Sequence, residues 1–236
     1  MEITPLGDSA FIIRVVDELE ANSDISLDIV LSTWRHLQEA AVPGVIDLAP
    51  AYGTIGVFYD PARVERIPPA QSPFDCIRSR VQAVLEASRP KRARGGKQTL
   101  IEIPVCYGDE FGPDLGEVAR VTGLDEKEVI RRHSKARYRV ACVGFVPGFS
   151  FLSGLPPELA TPRRATPRKE IPAGAVGIGG AQTGIYPGKS PGGWNLIGRT
   201  PCRLFDVKRE PASLLQAGAR VRFRQISRME FDSFPS

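Results

Sequence analysis

The amino-acid sequence predicts an α+β chain in two parts, a small α+β domain followed by a β-barrel or sandwich. Three observations predict it. Residues 1–90 order their apolar patterns as strand, helix, strand, strand, helix. Residues 99–229 carry many short apolar runs, with turn signals roughly every 8–12 residues and only two helical patterns among them. Between the two lies Arg89–Lys97, basic and glycine-containing, which reads as a solvated linker over residues 91–98.

The elements follow from local chemistry. Ser9–Val16 is a strand introduced by the turn Pro5–Asp8. Over residues 26–41 the apolar positions Leu27, Val30, Leu31, Trp34 and Leu37 fall on one helical stripe, and Pro43-Gly44 ends it. Val45–Ala49 and Thr54–Tyr59 are two more strands. Ser72 is a good N-cap, Pro73 suits the first helical position, and Phe74, Ile77, Val81, Val84 and Leu85 form the apolar face behind them. The order β-α-β-β-α suggests a ferredoxin-like layer. Thr99–Cys106 restarts the sheet pattern. Leu115–Val121 and a helix capped by Asp125 and running to Lys135 form a helical pair joined at Thr122–Leu124. Strands follow at Tyr138–Val143, Ala175–Gly179, Trp194–Ile197, Arg203–Val207 and Arg220–Arg224, and Glu230–Ser236 reads as a weakly ordered tail.

Composition narrows the function classes. The chain has 236 residues, 42% hydrophobic and 25% charged, so a buried core is assured. Lys plus Arg is 31 and Asp plus Glu is 27, a net charge of +4 that follows arginine clusters rather than a basic tail. Nucleic acid is not demanded by such a balance, and an anionic small ligand would use the same arginines. No apolar run has the length of a membrane span, and the N-terminus lacks the pattern of a signal peptide. Cys76, Cys106, Cys142 and Cys202 form no C-x-x-C pair and read as free thiols in a reducing compartment, so the expected location is cytoplasmic. With His36 and His133 the only histidines, no metal site is expected in the chain.

The candidate site lies between His133 and Arg199. Glycine and proline crowd this stretch, yet Phe145, Phe149, Phe151, Tyr186 and Trp194 lie within it, which suits tight turns converging on a pocket. His133 is either a histidine at a helix C-terminus, favoured by the dipole, or a proton-transfer group. Gly144–Phe149, with Pro147 and Gly148, is either a simple turn or a backbone that lets N–H groups approach an anion. Pro162-Arg163-Arg164 and Pro167-Arg168-Lys169 concentrate cations on a backbone that proline restricts, which suits a phosphate or carboxylate. Gln182, Tyr186, Gly192, Gly193 and Trp194 occupy a loop-rich segment, and Trp194 serves equally well as core or as ligand platform. Arg199 follows Gly198, so it is positioned to face the same cleft. Cys142 and His133 are near in sequence, but the apolar strand around Cys142 disfavours a thiolate. Glu158 and Glu170 are the only carboxylates between His133 and Arg199, which argues against a self-contained hydrolase with paired acids. No P-loop or dinucleotide fingerprint is present.

These residues resemble a known family. H-x-x-x-x-Y-x-V at His133–Val140, G-F-x-P-G-F-x-F-L-x-G-L at Gly144–Leu155 and P-R-R-x-x-P-R at Pro162–Arg168 are similar to motifs of the KipI family. So are I-P-A-G-x-V-x-I-x-G-x-Q-T-G-I-Y at Ile171–Tyr186 and S-P-G-G-W-x-x-I-G-R-T at Ser190–Thr200. The family is also described as allophanate hydrolase subunit 1 and as the B subunit of an ATP-dependent 5-oxoprolinase. Its opening I-x-P-L-G-D-S-A matches Ile3–Ala10, and Y-G-x-E-x-G-P-D-L matches Tyr107–Leu115. Ala175 stands where serine is frequent and Gly179 where alanine is usual.

The resemblance implies a cyclophilin-like β-barrel over residues 99–229, after the N-terminal α+β domain. It implies a KipA-type partner (the C subunit), a LamB/YcsF-type partner (the A subunit), and ATP with Mg as cofactor in opening 5-oxo-L-proline to L-glutamate. His133 and Arg199 are then the expected catalytic residues. Phe145, Pro147, Gly148, Arg163, Arg164, Arg168, Gln182, Tyr186, Gly192, Gly193 and Trp194 are the expected substrate- or phosphate-binding residues. The alternatives it implies are a histidine-kinase inhibitor of the KipI type, with the kinase as partner, and a carboxyltransferase-like subunit of a urea or allophanate pathway.

Overall fold

The computed structural model describes residues 2–17, 24–65, 71–87 and 100–235, which fall in two compact units, Met1–Lys97 and Gln98–Ser236. The expected basic linker, 91–98, lies outside the described residues.

In the first unit, β1 (Glu2–Pro5) and β2 (Ala10–Arg14) form a hairpin, and α1 (Asp24–Ala40) leads to a second hairpin of β3 (Val45–Ala51) and β4 (Thr54–Tyr59). α2 (Pro73–Ala87) follows. The strands run antiparallel in the order β1-β2-β4-β3. Strand alternation buries Ile55, Val57 and Tyr59 of β4 with Phe11 and Ile13 of β2. Helical periodicity sends Val30 and Leu37 of α1 and Ile77 and Val81 of α2 into the same core. α2 starts as its sequence dictates: the Asp75 amide donates to Ser72 Oγ at 3.1 Å, with Pro73 in the first turn. The β-α-β-β-α order is as expected. A ferredoxin-like layer needs a further strand after the second helix, whereas the fourth strand among the described residues is β1, which comes first.

The second unit is a closed barrel. β5 (Leu100–Tyr107), β6 (Tyr138–Val143), β7 (Ser150–Ser153), β9 (Ala175–Gly179), β10 (Gln182–Ile185), β12 (Asn195–Arg199) and β13 (Arg220–Gln225) run in the order β6-β13-β5-β12-β9-β10-β7, and β6 pairs with β7 to close it. Only β13 and β5 are parallel. β8 (Arg168–Ile171) and β11 (Ser190–Gly192) make a separate ribbon. α3 (Leu115–Thr122) and α4 (Glu126–Lys135) connect β5 to β6. Gly123, at φ 70°, stops α3, and Asp125 accepts from the Glu128 amide at 2.7 Å to start α4.

Two expectations need correction. Arg203–Val207 is not a strand: Phe205 makes only an isolated bridge to Ser213. The Arg209 guanidinium donates to the carbonyls of Arg203, Leu204, Pro211 and Ala212, so a side chain takes acceptors that a ladder would use. The expected tail contains a short helix, α5 (Arg228–Asp232), capped by Ser227 and tied down where Phe231 meets Phe111 at 4.4 Å.

His133, near the end of α4, lies in the second unit's core and is 0% exposed. Its ring stacks on Phe223 at 4.6 Å. Thr183 Oγ1 donates to the Gly177 carbonyl at 2.9 Å and so accepts from His133 Nε2–H, also at 2.9 Å. Nδ1 is then the acceptor for the Tyr107 hydroxyl at 2.8 Å. The Tyr138 hydroxyl closes the set by donating to the His133 carbonyl at 2.8 Å. No carboxylate is in this chain of bonds, so nothing compensates a cation, and burial holds the imidazole far below its ordinary 6.5, at about 3.

The unfolded chain therefore binds a proton here that the folded chain refuses. This contribution to stability is complete above pH 6.5 and is lost as pH falls from 6.5 towards 3. Urea denaturation is expected to show about 2 kcal/mol less stability at pH 5 than at pH 7, and His133→Gln, though less stable at pH 7, is expected to show a flatter dependence in that window. Equal slopes for the two proteins would remove this account.

Candidate functional site

The second unit carries a cleft of about 230 Å³ lined by Phe145, Phe149, Phe151, Arg163, Arg164, Pro167, Tyr186, Gly192, Gly193 and Trp194. Phe149 is its centre. Its ring meets those of Phe145, Tyr186 and Trp194 at 5.6, 5.0 and 5.6 Å with interplanar angles of 76–81°, and Phe151 at 4.7 Å. Such edge-to-face contacts lock ring positions and favour a rigid apolar wall.

Short turns present these rings. The turn from β6 to β7 is closed by Gly144 and Phe149, whose backbones bond to each other at 3.1 Å. Gly148 adopts φ 82° there, and a Cβ would fall 2.7 Å from Phe205 Cβ, so only glycine fits. Phe145 also has positive φ, 69°, yet carries a large ring that is 63% exposed. A bulky residue in that region is strained by roughly 1–3 kcal/mol, and its ring stands at the cleft's edge, edge-on to Phe149. Trp194 lies against β9: at Gly179 a Cβ would stand 2.5 Å from the indole, which explains glycine there as room for the tryptophan.

The cations come from residues 162–168. Arg163 is exposed, and its guanidinium stands 6.0 Å above the Trp194 ring. Arg164 donates Nη1 to Asp114 Oδ1 at 2.7 Å, while its Nε is buried without a protein partner. Arg168 grips both Asp114 oxygens, at 2.7 and 2.8 Å, and the Leu196 amide donates to Oδ2 at 2.7 Å. Asp114 is 4% exposed. Burial pushes the Tyr186 phenol up, with the Trp194 backbone and the charges of Arg163 and Arg168 opposing it.

The structure thus brings together Phe145, Arg163, Arg164, Tyr186, Gly192, Gly193 and Trp194 of the expected site. Pro147 and Gly148 shape the turn but do not line the cleft. Arg168 supports it from behind through Asp114. Gln182 begins β10 and Arg199 ends β12, and neither lines the cleft; Arg199 donates Nε to the Ala173 carbonyl at 2.8 Å and stands 6.0 Å from the Phe231 ring. His133 does not reach it either, because its ring lies in the core with both nitrogens occupied. That also rules out a Cys142–His133 pair, and burial pushes the Cys142 thiol up. Glu158 pairs with Arg132 and Glu170 with Lys189, away from the lining. Among the described residues no three His, Cys, Asp or Glu side chains converge as metal ligands would.

Sequence reasoning placed Phe149, Phe151 and Pro167 in the candidate stretch without assigning them to the binding residues, and it missed Asp114. The two phenylalanines carried a signal, since both follow a Pro-Gly turn and sit two apart where β7 begins. Asp114 lay in the motif Tyr107–Leu115, but nothing local tied it to arginines 50 and 54 residues away.

Fold and cleft together define a class, a cyclophilin-like barrel bearing a compact aromatic recess with cations at its edge. Residues 1–215 match the family described as carboxyltransferase domain, subdomain C and D, and the chain belongs to that family, the KipI or allophanate hydrolase subunit 1 group. It is 42% identical over 236 residues to the B subunit of 5-oxoprolinase from Bacillus subtilis (strain 168), covering 99% of this chain and 96% of that protein. The 5-oxoprolinase B subunit of Escherichia coli O157:H7 is 43% identical over 206 residues, covering 87% of this chain and 89% of that one. Among solved structures, TTHA0988 superposes with a TM-score of 0.76 at 38% identity over 92% of this chain, which spans 40% of TTHA0988. The Kluyveromyces lactis urea amidolyase shares the fold, with a TM-score of 0.72 at 17% identity over 98% of this chain and 15% of the larger one.

Asp114→Ala leaves two arginines facing a buried gap and is expected to cost about 3–5 kcal/mol, against a smaller loss for Asp114→Asn, by urea denaturation. Equal stability of Asp114→Ala and the parent would show that these ion pairs are dispensable.

Proposed function

We propose that the chain is the B subunit of a 5-oxoprolinase that opens 5-oxo-L-proline to L-glutamate with ATP hydrolysis, working with KipA-type and LamB/YcsF-type subunits in the cytoplasm. The observation that carries this reading is the cleft itself: rigid aromatic edges that suit a small ring, with Arg163 and Arg164 beside them to suit a carboxylate. The near full-length similarity to two proteins named as 5-oxoprolinase B subunits supports the same assignment.

The cleft's residues bind and orient; none is an acid or base suited to moving a proton at neutral pH. Its lining holds no carboxylate, imidazole or thiol. ATP is a poor fit to it. At about 230 Å³ it lies below the range of roughly 300–1,000 Å³ typical for drug-sized ligands, and no lining carboxylate would hold Mg. Asp114 takes up Arg168 and one nitrogen of Arg164, which leaves fewer donors than the charged oxygens of a triphosphate would use. Nucleotide use therefore belongs to the assembly, through residues outside this cleft.

The test is reconstitution. The chain with both partner types is expected to couple ATP hydrolysis to glutamate formation, and the chain alone is expected to be inactive. Arg163→Ala is expected to raise the KM for 5-oxoproline about 10- to 100-fold, the loss of one charge-assisted bond. Absence of 5-oxoproline-dependent ATP hydrolysis in every combination would overturn the assignment.

A further inference from the structure

The polar groups of the cleft lie at two depths. Arg163 is exposed at its edge, over the Trp194 ring. Tyr186 also lines the cleft but is only 2% exposed. Its surroundings fix where its hydroxyl stands. The Tyr186 amide donates to the Ala175 carbonyl at 2.9 Å, and its carbonyl accepts from the Gly174 amide at 2.7 Å, which anchors the backbone just past β10. The ring is held edge-on by Phe149 at 5.0 Å and by Trp194 at 6.5 Å. At Gly192, another lining residue, a Cβ would stand 2.5 Å from the hydroxyl oxygen, so glycine leaves the hydroxyl uncovered on the cleft side.

A hydroxyl has one hydrogen to donate and two lone pairs to accept with. The Trp194 backbone bonds to this one in the sense that favours ionisation, so the amide donates and the phenol oxygen accepts. Burial outweighs that effect and keeps the phenol protonated. Among the described residues the hydrogen itself meets no acceptor, whereas a buried tyrosine hydroxyl ordinarily has a partner. The other neutral side-chain donor of the lining, the Trp194 indole N–H, stands against Gly179 of β9, which is not part of the lining.

We propose that Tyr186 is the specificity-determining residue of the cleft, its hydroxyl donating to an uncharged carbonyl oxygen on the ring of the ligand. This rests on the cleft being the substrate site proposed above, and it assigns recognition of the lactam group rather than of the acid. A carboxylate belongs at the exposed edge with Arg163, where it keeps part of its water; a carbonyl costs less to bury and suits the deeper position. A ring acid without the carbonyl leaves the buried O–H unpaired, and sites built to hydrogen-bond a ligand group reject analogues that lack it.

Calorimetric titration of the full chain, alone and with its partner subunits, tests this with 5-oxoproline and cyclopentanecarboxylate, which share ring size and charge but not the lactam. The parent is expected to bind 5-oxoproline at least tenfold tighter. Tyr186→Phe keeps the ring and its edge contacts, and is expected to weaken 5-oxoproline about tenfold while leaving cyclopentanecarboxylate unchanged. Infrared spectra of bound 5-oxoproline, carbon-13-labelled at the ring carbonyl, give a second readout. The carbonyl stretch is expected to lie lower on the parent than on Tyr186→Phe, because a donated hydrogen bond weakens the C=O bond. Equal affinity of the parent for the two acids, equal weakening of both by Tyr186→Phe, or a stretch that the substitution leaves in place would each overturn the proposal. Where the reconstituted assembly still consumes 5-oxoproline, those results leave the 5-oxoprolinase assignment standing. Carbonyl selection that Tyr186→Phe abolishes, with no 5-oxoproline-dependent ATP hydrolysis in any assembly, would sink the assignment alone. No binding of 5-oxoproline to either preparation would sink both.

Discussion

One buried carboxylate holds the working end of the barrel together. Asp114 stands immediately before α3, where an aspartate ordinarily caps the helix, yet its side chain makes no cap bond. Both oxygens are turned instead to Arg164, Arg168 and the Leu196 amide. This joins the β5–α3 connection, the segment carrying the cleft's cations, and β12. Moving a charge out of water is costly, and here the cost is offset only because every acceptor site is filled. The ring wall and the cation segment are thereby set against each other by a fixed geometry rather than by flexible surface contacts.

His133 solves the opposite problem. It too is polar and buried, but it is kept neutral by a line of neutral donors and acceptors ending at the Gly177 carbonyl. The difference is in the partners. Asp114 faces guanidinium groups; His133 faces hydroxyls and stays uncharged. One buried group therefore shapes the field at the cleft, while the other specifies how α4 seats on the barrel core.

This contrast also explains what was legible in the sequence. Local chemistry was readable: Ser72 and Asp125 start their helices as their side chains dictate, and the apolar stripes of α1 and α2 face their core. The barrel was legible as a succession of short strands. β1, β7, β8, β10 and β11 were not, because runs of three or four residues, several of them broken by glycine or proline, give too little alternation to count. Arg203–Val207 has a short apolar run but loses its ladder to Arg209, a competitor outside the run. His133 beside a glycine-rich motif suggested chemistry, but neighbours in sequence do not reveal burial. The arginine cluster was legible as a concentration of cations, and its restraint by Asp114 was not, since ion pairing over some fifty residues leaves no local pattern.

The cleft's inventory bears on why such a chain would work within a larger assembly. Opening a lactam requires an activated carbonyl and groups to move protons. The lining offers aromatic edges, two arginines and glycine backbone, which supply position and charge but no proton acceptor suited to neutral pH. Arginine remains protonated throughout, and the Tyr186 phenol is driven further from ionisation by burial. If the cleft holds the proposed substrate, the reactive groups must come from outside its lining. Phe145, its ring exposed at the rim, is a part of the lining that faces solvent.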